Sequence, residues 1–174
     1  MPLSMRPSEG RLTTRRLTEL ALCTALIFVL QVVMGPLANI ELVSLLIILY
    51  TRWFGRQTLL VIYLFALLEG VFYGFHVWWI MYLYVWTILW LLATLLNRRE
   101  APLLAWALLS GGFGLAFGLL CAGPYWITGG IGTAVAWWIS GIPFDLIHGV
   151  ANFVLVLVLF RPLDRLYQHI RSGI

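Results

Sequence analysis

The sequence predicts an all-α, polytopic membrane protein: one bundle of six transmembrane helices, with both chain ends on the cytosolic side. Three observations carry this expectation. Hydrophobic residues make up 62% of the 174 positions and charged residues only 10%, far from the balance of a water-soluble domain. The apolar residues fall into runs close to the ~20 residues needed to cross a hydrocarbon core. The basic residues, all of them arginine, fall only between alternate runs.

Residues 1–13 are polar, with Pro, Ser and Gly, and read as a flexible cytosolic tail; residues 14–174 read as a single transmembrane domain. The first span, 17–34, follows four arginines and ends at Gly35-Pro36. Within it Ala21 and Ala25 stand four apart, so their methyl groups share one helical face and leave a strip where a second helix can approach. The strip serves either packing inside the bundle or docking of a separate membrane subunit. A basic start and an apolar centre also mark secretory signals, but this run is too long and further spans follow, so it is read as retained.

The second span, 40–53, is short for a full crossing and calls for local thinning of the bilayer or shelter by its neighbours. The third, 58–75, carries Glu69 beside Gly70, with Ala66, Gly70 and Gly74 at intervals of four that suit close helix contact. The fourth, 77–96, begins behind His76 with Trp78 and Trp79. The fifth, 102–123, holds Gly111, Gly112, Gly114 and Gly118, a small-residue seam for packing. The sixth, 133–160, stacks Asp145, His148 and Asn152 on one face at i, i+3 and i+7. Pro143 has no amide hydrogen and crowds the carbonyl of Ile139, so a kink is expected just above Asp145.

Arginines 6, 11, 15 and 16 precede the first span. Arg52 and Arg56 follow the second, Arg98 and Arg99 the fourth, and Arg161, Arg165 and Arg171 the sixth. By the positive-inside rule both ends are cytosolic. The formal charge of +4 is therefore a signal of topology. Its expected partner is anionic membrane lipid; nucleic acid is excluded, because no soluble basic face exists to bind it. Cys23 falls nearer the inner leaflet and Cys121 nearer the outer, which separates them too far for a disulfide.

The opposite loops, 35–39, 73–76 and 123–133, are rich in Gly, Pro and aromatic residues. In the last, Tyr125 and Trp126 sit among glycines, either as a lid over a site or as interfacial belt residues. Ionisable groups inside hydrocarbon are costly and point to function. Asn39, Glu41, Glu69, His76, Trp79, Trp126, Trp138 and Asp145 are the candidate substrate-binding residues. Most share one depth near the outer surface, where a few polar groups stand among flat rings. Asp145 sits lower, near the middle of the sixth span, and either meets a ligand with His148 or pairs with it internally. Abundant Trp and Tyr favour a planar heterocycle such as a pyrimidine, pyridine or pterin, and the scarcity of outward cations disfavours an anion.

Catalysis finds no support. The chain holds no Ser-x-x-Lys pair, no Gly-x-Ser-x-Gly elbow, no His-Glu-x-x-His helix and no metal-type Cys/His spacing. A phosphate loop ending in Gly-Lys-Ser/Thr is also absent, and there is no lysine at all. No catalytic residue, metal or cofactor is expected.

Three stretches carry a resemblance. They are Ala21-x-x-x-Ala25, Asn39-Ile-Glu-Leu-Val-Ser-Leu, and Ile142-Pro-Phe-Asp-Leu-Ile-His-Gly-Val-Ala-Asn-Phe. In a six-span chain of 19.8 kDa they resemble the substrate-binding S components of energy-coupling factor (ECF) transporters, from about residue 17 to residue 163. The resemblance implies a prokaryotic plasma-membrane subunit that binds a vitamin or comparable micronutrient from outside. Its pocket would use the outer loops and helices four to six, with the first loop as gate. It further implies that Ala21 and Ala25 dock on a transmembrane T component, itself bound to two ATPase subunits that consume the ATP. Cargo would be delivered by toppling of the S component in the membrane. Two rival readings are a membrane scaffold similar to the rod-shape-determining proteins, and a small intramembrane enzyme built on Asp145 and His148.

Overall fold

The computed structural model describes residues 12–99 and 101–173; most of the expected tail, with Arg6 and Arg11, lies outside the described residues. Among those described there are six α-helices and no strand: α1 (Thr14–Met34), α2 (Val43–Phe54), α3 (Thr58–Tyr73), α4 (Val77–Asn97), α5 (Leu103–Cys121) and α6 (Gly123–Ser172). Helix is the form that an apolar chain takes where water is scarce, because every backbone bond closes within the segment. The α1 start is capped by the Thr13 hydroxyl, which accepts from the Arg16 amide at 3.3 Å, and α5 starts directly behind Pro102.

α2 organises the bundle. Eleven of its 12 residues are buried, and a helix apolar on all sides belongs in the centre. It spans about 18 Å, short of a ~30 Å hydrocarbon core, and its neighbours wrap it. A 3-10 turn at Gly55–Gln57 joins it to α3. The two together form one apolar stretch, so five segments, rather than the six expected, are each long and apolar enough to span: Thr14–Met34, Val43–Tyr73, Val77–Asn97, Leu103–Cys121 and Gly123–Ser172.

Contacts show that α2 and α3 nevertheless run in opposite directions. The Tyr50 hydroxyl donates to the Cys23 carbonyl at 3.3 Å, and the Arg16 guanidinium donates to Gln57. Trp79, at the start of α4, donates to the Ala66 carbonyl at 2.7 Å, while Trp90, farther along, reaches the Gly55 carbonyl at 3.1 Å. One end of the bundle collects the described arginines. There Arg16 stacks over Phe54 at 4.2 Å, Arg52 meets Asn97 at 3.1 Å and Asp164 at 3.5 Å, and Trp53 donates to Asp164 at 2.7 Å. Cys23 and Cys121 are both free thiols.

α5 and α6 meet along the glycine seam. A methyl at Gly114 would lie 2.9 Å from the Gly149 backbone, one at Gly111 3.2 Å from the Gly149 carbonyl, and one at Gly118 would collide with the Asp145 carboxylate. Gly112 faces open space and is not part of the seam.

α6 differs most from expectation. The stretch 123–133, read as a loop, is helical up to a break at Gly130 (φ 76°, ψ 178°), and Pro143 sits inside regular helix. The kink therefore falls at Gly130. Only glycine adopts that backbone region at low cost. Tyr125 and Trp137 would stand about 18 Å apart along a straight helix, yet their rings stack at 4.1 Å. The chain thus folds back at Gly130 into a helical hairpin beyond the end of α5. The physical reason is composition: Gly and Pro punctuate chains in water, but an uncharged stretch closes its backbone bonds on itself.

Candidate functional site

At the end opposite the arginines, a cavity of about 140 Å³ lies beneath the connection 35–42. α1 contributes Gln31, the connection contributes Leu37, Asn39 and Glu41, and α4 contributes Tyr82 and Trp86. Phe117 of α5 and His148 of α6 close it. Asn39 sits at φ +58°, a conformation that Asn tolerates better than most residues.

Glu41 anchors the polar side. Its Oε1 lies 3.1 Å from His148 Nε2, and its Oε2 accepts from the Ser44 amide at 2.9 Å, capping the start of α2. One turn deeper, Asn152 donates to the Ser44 hydroxyl at 3.1 Å. These bonds tie α2 to α6 on the face where His148 and Asn152 are stacked. Burial by itself would raise the Glu41 carboxyl. The hydrogen bonds from His148 and Ser44 outweigh it and hold the carboxyl below its ordinary range. With Glu41 ionised, the contact requires hydrogen on His148 Nε2.

The other side is aromatic. Phe117 packs edge-on to the His148 ring at 4.9 Å, and Trp86 lies 5.6 Å from Phe117 and 5.5 Å from Tyr82. Two polar atoms of these side chains, Trp86 Nε1 and His148 Nδ1, are buried without a hydrogen-bond partner among the described residues. Such orphans cost about 1–3 kcal/mol each.

The eight candidate residues divide. Asn39 and Glu41 line the cavity. Asp145 does not: it is buried, and its Oδ1 accepts from the Gly118 amide at 3.0 Å. The internal Asp–His pair is therefore replaced by two separate links, Asp145 with α5 and His148 with Glu41. Nor is Asp145 midway down a span, since it meets α5 near that helix's last turn. Glu69 is buried on α3, with Oε1 lacking a partner among the described residues, and lies apart from the cavity lining. His76 is exposed beside Gly74. Trp79 ties α4 to α3 through Ala66 and packs against Phe75. Trp126 is 62% exposed and Trp138 half-buried, both on the projecting hairpin. Ala21 and Ala25 are exposed on the outer face of α1, between Leu17, Leu22 and Leu26, which are exposed as well.

Sequence reasoning did not select Gln31, Tyr82, Trp86 or Phe117. Two signals were present: Gln31 is the one side-chain amide inside the first apolar run, and Tyr82 and Trp86 stand four apart on one face. Among the described residues no group of three His, Cys, Asp or Glu is arranged to hold a metal ion. The site offers hydrogen-bond donors and acceptors against flat rings, with a fixed carboxylate and no lysine or arginine in its lining. No family model, curated protein or solved structure matches the chain.

Proposed function

We propose that this chain is the substrate-binding subunit of an ECF-type importer in a prokaryotic plasma membrane. It crosses six times with both ends cytosolic, binds a vitamin-like solute from outside, and hydrolyses no ATP itself. Its exposed Ala21 and Ala25 dock on the T component, whose two ATPase subunits drive the cycle. The observation that carries this reading is the cavity under 35–42, lined by Asn39, Glu41 and His148 among the rings of Tyr82, Trp86 and Phe117. The one-sided placement of the arginines supports the orientation. The carboxylate-bound cavity lies toward the other face.

Replacing Ala21 or Ala25 with Trp tests the docking role. Bulk on that strip is expected to abolish uptake and co-purification with the membrane partner while ligand affinity stays within about twofold. Loss of ligand binding with assembly intact would contradict it.

A second reading is a membrane scaffold. The cavity volume of about 140 Å³ favours it, being below the ~300–1,000 Å³ of most small-molecule sites. A scaffold needs no ligand, so a cavity filled by mutation would leave it working. The enzyme reading draws less support, since Asp145 and His148 make their hydrogen bonds to different partners.

A further inference from the structure

α1 packs on α3 and α2, whereas α6 packs on α5, α2 and α4. Between the start of α1 and the last turns of α6 this leaves a groove of about 360 Å³, at the end of the bundle that collects the arginines. Arg15, Thr18, Glu19 and Leu22 line it from α1, and Tyr167, Ile170 and Arg171 from α6. Each set repeats at intervals of three and four residues and so forms one stripe along its helix. Tyr167, the half-buried member, is held in place by the core. Its ring stacks on Trp53 at 4.1 Å and meets Phe54 edge-on at 5.7 Å.

The charge in the groove is unbalanced. Two arginines stand there with one carboxylate, and that carboxylate is already matched from outside the lining, where Arg16 pairs with Glu19 Oε2 at 2.9 Å. Arg15 reaches Glu19 Oε1 only through its Nε, at 3.4 Å. Arg171 has no ion pair or hydrogen bond among the described residues. The Thr18 hydroxyl is engaged, donating to the Thr14 carbonyl at 3.0 Å. What the groove offers is therefore guanidinium, and its complement is an anion.

Deeper along α1 the stripe turns apolar. Leu22 is 65% exposed and lies about 10 Å beyond Arg15, and the exposed Leu26 carries the stripe to about 16 Å. That reach matches the ~15 Å of hydrocarbon in one leaflet. A small free anion would meet the guanidiniums and leave the stripe bare, whereas an anionic headgroup joined to an acyl chain covers both. Ala21 and Ala25 lie about a quarter-turn away around α1, so a chain on Leu22 and Leu26 leaves their methyl groups uncovered.

We infer that the groove between α1 and α6 binds one anionic phospholipid of the cytosolic leaflet, its phosphate between Arg15 and Arg171 and an acyl chain along Leu22 and Leu26. A lipid there depends on the helices spanning a membrane, and on nothing proposed for the cargo or the docked subunit.

The test uses the full chain in nanodiscs of equal palmitoyl-oleoyl phosphatidylglycerol (POPG) and phosphatidylcholine (POPC), released into native mass spectrometry. The wild type is expected to retain one POPG about fivefold or more over POPC. Arg15→Gln with Arg171→Gln is expected to remove that preference. Arg98→Gln with Arg99→Gln takes the same charge from the same end of the bundle but outside the groove lining, and is expected to keep it. All four positions are exposed, so the fold tolerates both pairs of changes. Excess inorganic phosphate is expected to leave the POPG in place.

Equal retention of POPG and POPC by the wild type would reduce the groove to part of the ordinary lipid shell and overturn the inference. Equal loss in both double variants would do the same, by making the preference a matter of overall charge. Displacement by phosphate would assign the groove to a free anion, and dimers in place of lipid-bound monomers would assign it to a second copy; either outcome overturns the lipid.

Discussion

His148 Nε2 lies 3.1 Å from Glu41 Oε1, joining positions 107 residues apart across the end of the bundle. The link fixes the start of α2 against α6. Both residues line the cavity, so the pair that fixes the two helices also forms part of its wall.

Removing one partner of a buried pair strands the other, which costs about 3–5 kcal/mol. Glu41→Ala is therefore expected to destabilise the protein by about 3 kcal/mol in reversible SDS unfolding, with Glu41→Gln losing less because an amide oxygen still accepts. A loss within about 0.5 kcal/mol for Glu41→Ala would show that the contact carries no weight.

The same carboxyl predicts a pH dependence. Its folded-state value lies below the ordinary 4.5, so the stabilisation is fully present above 4.5. It is lost as the pH falls through the lowered folded-state value. Thermal midpoints measured from about pH 7 to about pH 3 should fall more steeply for wild type than for Glu41→Gln. Parallel curves would exclude Glu41 as the titrating group.

Along the α5–α6 seam, Gly114→Ala places a methyl 2.9 Å from the Gly149 backbone, where neither helix can yield cheaply. A loss of about 1–3 kcal/mol is expected. Gly112→Ala points into open space and should be neutral or gain up to about 1 kcal/mol from helix propensity. Chemical unfolding of the two variants checks the contrast, and equal effects would refute the seam.

Gly130 and Gly132 both have room for a side chain, but only Gly130 has a backbone reserved for glycine. Gly130→Ala should cost about 1–3 kcal/mol and open the hairpin. Spin labels at positions 125 and 137 should then move apart in Gly130→Ala and not in Gly132→Ala. An unchanged distance in both would contradict the turn.

Much of the helical layout was legible because its determinants are local. α1, α4 and α5 begin and end where Pro, Gly, Asn or charge interrupts an apolar run, as at Gly35-Pro36 and Pro102. The burial of α2 was foreshadowed by its shortness and its lack of a polar face. The reach of α6 was not legible. Residues such as Gly129, Gly130 and Pro143 signal turns in water, whereas an uncharged chain resolves its backbone by helix and concentrates the break at one glycine. The helical course of 123–133 carries Trp126 and Trp138 away from the cavity lining, and Asp145 meets α5 near its last turn. The pairing of Glu41 with His148 spans most of the chain, and a single sequence carries no mark of which buried groups will meet. Asp145 was the nearer candidate on the helix face, but the close approach of α5 at Gly118 offered its carboxylate a backbone amide first.

The end of the bundle opposite the arginines is proposed to hold a small solute. Native mass spectrometry of the gently purified protein tests it most directly. A bound small-molecule species is expected on the wild type and is expected to be absent from Leu37→Trp, which adds bulk at an exposed position on the cavity rim. Bare protein alone for both, with Leu37→Trp fully able to replace the wild type in cells, would contradict the account and leave a scaffold.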